Sequence, residues 1–111
     1  MHIQIQRDSQ QIAATDRIEL HQRARHWLRR VQEIIRSICI RISDASASAG
    51  AGDRYCLIEA HMENGLRLQS HARGRAAIIA IDRALRRLAR AILSQLKREA
   101  ATRELRALAT A

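Results

Sequence analysis

Between Arg75 and Glu99 the chain reads RAAIIAIDRALRRLARAILSQLKRE, with no Gly or Pro to interrupt it. The apolar residues Ile78, Ile81, Leu85, Leu88, Ile92 and Leu96 recur at steps of three or four, which is the spacing of one helix face. Ala, Leu, Arg, Gln and Lys fill the other positions, and all are good helix formers. Arg83, Arg86, Arg87 and Arg90 fall on the opposite side, with Lys97 two turns further on. One face of this helix therefore needs an apolar layer to lie on, and the other offers guanidinium groups to something acidic. The rest of the chain has to supply that layer.

Short alternating stretches supply it. His2 to Gln6 places Ile3 and Ile5 on one face and polar residues on the other, the pattern of a half-buried strand. Ile35 to Ser43 alternates again, with Ile38, Ile40 and Ile42 against Ser37, Cys39, Arg41 and Ser43. Arg54 to Met62 reads as a third strand and Leu66 to His71 as a fourth. Between the first two strands, Thr15 or Asp16 can cap a helix. Asp16 has Glu19 three residues on, as in a capping box. That helix is expected to run to about Gln32, with Leu20, Ala24, Trp27, Leu28 and Val31 as its apolar stripe. Arg7 to Ala14 is a connector, and ASASAGAG at 45–52 reads as a flexible loop.

The turn between the last two strands sets the register. A two-residue Asn64-Gly65 turn would pair Met62 with Arg67 and mix the faces. A Glu63-Asn64-Gly65 loop pairs Ala60 with Leu68 and Ile58 with Ser70, keeping apolar side chains together. Gly65 then provides the left-handed residue such a loop needs. The expected fold class is α+β in the order β-α-β-β-β-α: a four-stranded sheet with two helices packed on one face.

The 111 residues fit one domain with a core of its own, and that core is aliphatic, since there is no Phe, one Trp and one Tyr. Twenty basic against 11 acidic residues leave a net charge of +9. Such a balance points to an acidic partner, nucleic acid before anionic membrane. Lys97 is the only lysine, and arginine suits bidentate phosphate contacts. No apolar run approaches a membrane span, and MHIQIQRD is neither a signal nor a transit peptide. Two cysteines without a secretion signal read as reduced thiols in the cytoplasm. Cys39 and Cys56 fall on opposite sheet faces, which excludes a disulfide between them. His21 and His26 diverge on their helix, and His61 and His71 are not directly opposite, so no metal site is read. His71 and Arg73, at the mouth of the last helix, read as a plain exposed loop ahead of a phosphate contact. Trp27 reads as packing, whereas for Tyr55, at the start of an exposed strand face, packing and a base-stacking platform stay open. Without a Gly-rich phosphate loop or paired carboxylates, the chain reads as a non-enzyme with no cofactor and no small-molecule substrate.

Taken in order, the opening strand MHIQI, the Thr-initiated helix, SICIRIS, the hairpin IEAHMENGLRL and above all AIDRALRRL at Ala80–Leu88 resemble the ribosome hibernation-promoting factor and ribosome-associated inhibitor A family, also called sigma-54 modulation proteins, in its short form. The likeness spans residues 1 to about 98. Just before the motif the chain reads HARGRAAI, where the family usually carries acidic residues and a Met-Tyr pair. The resemblance implies a fold similar to double-stranded-RNA-binding domains. It implies binding to ribosomal RNA in the messenger and transfer RNA channel of the small ribosomal subunit, which blocks translation in idle ribosomes. By position, Arg87 falls on the family's basic site after Ala-Ile-Asp, Arg90 on another, Arg25 near a basic site of the first helix, and Asp82 on the motif's aspartate. Residues 1–100 are then a ribosome-binding domain, and 101–111 an Ala/Arg-rich helical extension or flexible tail. The free protein is expected to be a monomer.

The RNA-binding residues expected on these grounds are Arg83, Arg86, Arg87, Arg90 and Lys97 on the last helix, with Arg23, Arg25, Arg29 and Arg30 on the first. Two basic helices side by side would frame a groove for phosphates, with mostly electrostatic, salt-sensitive binding. Two rival readings share the fold: a general nucleic-acid-binding regulator, and a homo-oligomeric interaction protein using Tyr55, Leu57, Leu105 and Leu108.

Overall fold

The computed structural model describes residues 1–7, 14–44 and 54–110. The ASASAGAG stretch and most of the 7–14 connector lie outside the described residues. So do the side chains of Thr15 and Asp16, on which the capping reading rests. The elements are β1 (His2–Arg7), α1 (Ala14–Leu28), a 3₁₀ turn (Gln32–Ile34), β2 (Ile35–Asp44), β3 (Arg54–Met62), β4 (Arg67–Gly74) and α2 (Ala77–Thr110). The order is the expected β-α-β-β-β-α. The sheet runs β1-β2-β3-β4, with β1 parallel to β2 and the other pairs antiparallel. A parallel neighbour needs a crossover, and α1 is that crossover.

One face of the sheet is covered. Ile3, Ile5, Ile38, Ile40, Ile42, Cys56, Ile58 and Ala60 point into a core completed by Leu20, Ala24 and Leu28 of α1 and Ile81, Leu85, Leu88 and Ile92 of α2. The β3–β4 hairpin has the predicted register, Ala60 opposite Leu68 and Ile58 opposite Ser70. The Met62 amide donates to the Leu66 carbonyl at 2.8 Å, and Gly65 sits at φ +89°.

Two element ends and one strand register differ from expectation, each for a local reason. α1 stops at Leu28 rather than near Gln32. The Val31 amide donates to Leu28 and the Ile34 amide to Val31, so the chain tightens to three residues per turn. That period stacks Leu28, Val31 and Ile34 toward the core, where 3.6 residues per turn would rotate them away. At the start of β2 the register with β3 shifts between Ile35 and Ser37, with Arg36 as the extra residue. The bulge lets Ile35 be buried and leaves Arg36 exposed, although strict alternation from Ile38 would turn Arg36 inward.

β4 runs three residues past His71, to Gly74. Its inward residues there are Ser70, Ala72 and Gly74, too small to give a strand signal. They are small because α2 lies against them. The Ser70 hydroxyl donates to the Ala84 carbonyl at 2.7 Å, and a Cβ on Gly74 would meet the Ala80 nitrogen at 2.8 Å. Ala80 and Ala84 face this seam from the helix, both fully buried. α2 itself continues unbroken to Thr110, and its 34 residues set the 58 Å long axis of the molecule. From Ala100 to Thr110 every residue is exposed.

Two outcomes follow from this packing. A Gly65→Val substitution has open space for its side chain but must hold a β-branched residue at positive φ. It should lower the unfolding free energy by roughly 1–2 kcal/mol in urea titration, and Gly65→Asn by clearly less. The thiols should separate in the same experiment. Both are free; Cys39 is half-buried, and burial pushes the Cys56 thiol from its ordinary 9.0 up to about 12. Native protein should therefore react with a thiol reagent at Cys39 first. The raised thiol costs nothing below pH 9. Above it the unfolded chain ionises while the folded one does not, so stability falls by up to about 1.4 kcal/mol per pH unit until about pH 12. Cys56→Ala should lack that part of the slope.

Candidate nucleic-acid interface

β4 is an edge strand, and α2 runs antiparallel along it. Along the helix Arg83 and Arg87 are one turn apart, about 6 Å by helical rise. Along the strand the carbonyls of Arg73 and His71 are two residues apart, about 6.8 Å. The two spacings nearly match, and the side chains use the match. Arg83 Nη1 donates to the Arg73 carbonyl at 2.9 Å, and Arg87 Nη1 donates to the His71 carbonyl at 2.7 Å. The seam of small residues brings the helix close enough for this.

These contacts hold both guanidiniums in place and leave their remaining N–H groups without another partner among the described residues. With Arg73, Arg86 and Arg90 they line one open groove, together with Tyr55, His71 and Ala72. Five arginines face the groove, and among the described residues no carboxylate lines it. Arg86 and Arg90 are exposed and have no protein partner among the described residues. Tyr55 and His71 form a tilted ring pair with centroids 6.0 Å apart at 32°.

The other expected arginines are placed elsewhere. Arg23 is engaged: it pairs with Asp82 of α2, and its Nη2 reaches Glu19 at 3.2 Å. Trp27 Nε1 donates to the other Asp82 oxygen at 3.2 Å. The space between the two helices therefore holds an ion-paired bridge, and the basic groove lies between α2 and β4. Asp82 is the motif aspartate, and here its carboxylate ties the helices together. Arg25 is exposed on α1 away from the groove, while Arg29 and Arg30 lie in the turn after α1. Lys97 continues the line of Arg90 two turns on, beyond the groove. The sequence list lacked Tyr55, His71 and Arg73. Ending the fourth strand at His71 had put Arg73 in a loop; its pairing opposite Tyr55 brings it to the site. Among the described residues no group of three or more His, Cys, Asp or Glu can hold a metal, and no helix is long and apolar enough to cross a membrane.

No family model and no curated protein sequence matches the chain. Solved structures do. A ribosomal subunit interface protein from Coxiella burnetii is 17% identical, with a TM-score of 0.69, over 91% of this chain and 99% of that one. The N-terminal domain of Thermus thermophilus Protein Y is 19% identical, with a TM-score of 0.65, over 88% of this chain and 98% of that one. The chain has the fold of these proteins.

The bridge makes a prediction of its own. Asp82→Ala leaves Arg23 Nη1 and Trp27 Nε1 without their acceptor and should lower the unfolding free energy by about 1–2 kcal/mol. Arg25→Ala should change it by under about 0.5 kcal/mol. Denaturation followed by Trp27 fluorescence distinguishes the two.

Proposed function

We propose that this protein binds the small ribosomal subunit through ribosomal RNA and holds off translation in idle ribosomes, without catalysing a reaction. The observation that carries the reading is the row of five arginines, unopposed by any described carboxylate, along the α2–β4 groove. Phosphates are the ligands for which such a row is suited, since each guanidinium offers a planar fork to two phosphate oxygens. The fold shared with a ribosomal subunit interface protein supports the ribosome as the source of that RNA, and so does the Ala80–Leu88 motif. A ribosome-bound protein of this kind acts in the cytoplasm and needs no cofactor. Blocking a channel requires only that the protein occupy it.

The test is charge reversal where the fold does not depend on the charge. Arg87 supports the β4 edge through its carbonyl bond, so Arg86 and Arg90 are the cleaner pair. Arg86→Glu with Arg90→Glu should leave the melting temperature nearly unchanged. It should weaken co-sedimentation with small subunits and flatten the salt dependence of binding by roughly 0.7–0.9 per lost phosphate contact. Inhibition of cell-free translation should fall in parallel. Binding equal to wild type would sink the reading. If bulk RNA competes as well as ribosomes do, the protein is a general nucleic-acid binder of the same fold.

A further inference from the structure

We infer that Tyr55, with His71 beside it, is a stacking platform for an unpaired RNA base at the border of the arginine groove, so that the strand entering this groove is single-stranded. The inference rests on the RNA reading above and adds which kind of RNA meets the sheet. Tyr55 lies on the sheet face that no helix covers; its neighbour Cys56 is fully buried on the other face. The ring is half-exposed, and directly across the strand pair stands Arg73. The His71 ring lies 6.0 Å away, tilted by 32°, so the two rings form one broken surface rather than a T-shaped contact.

Trp27, the only other Phe, Tyr or Trp in the chain, is held by Asp82 between the helices. Trp27 lies beside Glu19 and Asp82, whereas Tyr55 is the one Phe, Tyr or Trp that borders the arginine groove. It is also continuous with the charge: Tyr55, His71 and Arg73 border the same groove as Arg83, Arg87 and Arg90. A nucleotide needs this adjacency, a π-face for the base and guanidiniums for its phosphate. Arg83 and Arg87 are already fixed by the carbonyls of β4, so binding does not have to order them. A duplex would use the arginines but not the ring, because its bases are paired and stacked inside. The ring adds binding only when a base is free to leave the helix.

The experiment compares a short single-stranded oligoribonucleotide with a duplex of equal length, on wild type, Tyr55→Ala, Tyr55→Phe and Arg86→Glu/Arg90→Glu. Loss of a stacked base by alanine substitution corresponds to roughly 5- to 150-fold in affinity. Tyr55→Ala should lose that much for the single strand and almost nothing for the duplex, and Tyr55→Phe should recover it. A bromouridine-substituted single strand irradiated on the wild-type protein should crosslink to Tyr55, a readout that needs no variant to fold. Unchanged single-strand affinity in Tyr55→Ala, equal losses for both ligands, or a crosslink confined to other residues would each overturn the platform. If the arginine variant loses RNA while Tyr55→Ala does not, the RNA reading survives without it. If folded wild type binds neither RNA, both fall together.

Discussion

The close approach of α2 to β4 decides where everything else in this protein can be. Ser70, Ala72 and Gly74 on the strand and Ala80 and Ala84 on the helix leave no side-chain volume between the two backbones, so a hydroxyl-to-carbonyl bond of 2.7 Å can span the gap. On one side of this seam Ile81, Leu85, Leu88 and Ile92 drop into the core. On the other, Arg83 and Arg87 are brought level with the edge of the sheet. A larger residue at Gly74 would strike the Ala80 nitrogen and lift the first turns of the helix, taking the arginines with it. Core packing and groove geometry are consequences of one spacing.

That dependence explains which parts of the molecule could be read in advance. The hairpin register was legible because a one-residue slip would have turned Met62, Ala60 and Ile58 to solvent, and Gly65 stood where the loop needed it. The long helix was legible from its stripe. The end of β4 was not, since a strand built inward from Ser, Ala and Gly carries no hydrophobic signal until the helix above it is known. The end of α1 was missed because apolar residues at spacing three serve a 3₁₀ turn as well as a helix. The bulge at Arg36 was invisible for a related reason: the alternation looked complete from Ile38 onward.

Positive charge by itself does not show which arginines share the groove. Arg23 and Arg83 read alike in the sequence, each on a basic helix face. In the fold Arg23 answers Asp82 across the helix pair and Glu19 on its own helix, whereas Arg83 donates to a backbone carbonyl and meets no carboxylate among the described residues. A guanidinium paired to a carboxylate contributes little field to a polyanion; one anchored to a neutral oxygen contributes all of it. Asp82 sorts the arginines in this way, by neutralising the one that reaches over from α1 and none of those that face β4. The sequence shows the arginines and cannot say which of them have acidic neighbours in space.

The two carbonyl contacts also bear on a hazard that any open sheet carries. An edge strand with unpaired backbone groups is a template for another strand, and growth from it leads to filaments or exchanged segments. Along β4 the carbonyls of His71 and Arg73 already have donors, and the donors are bulky, charged and drawn from the protein's own helix. An incoming strand would have to displace both guanidiniums and bring its own backbone against a row of like charges. The groove that gathers the arginines is thereby also a guard on this edge of the sheet.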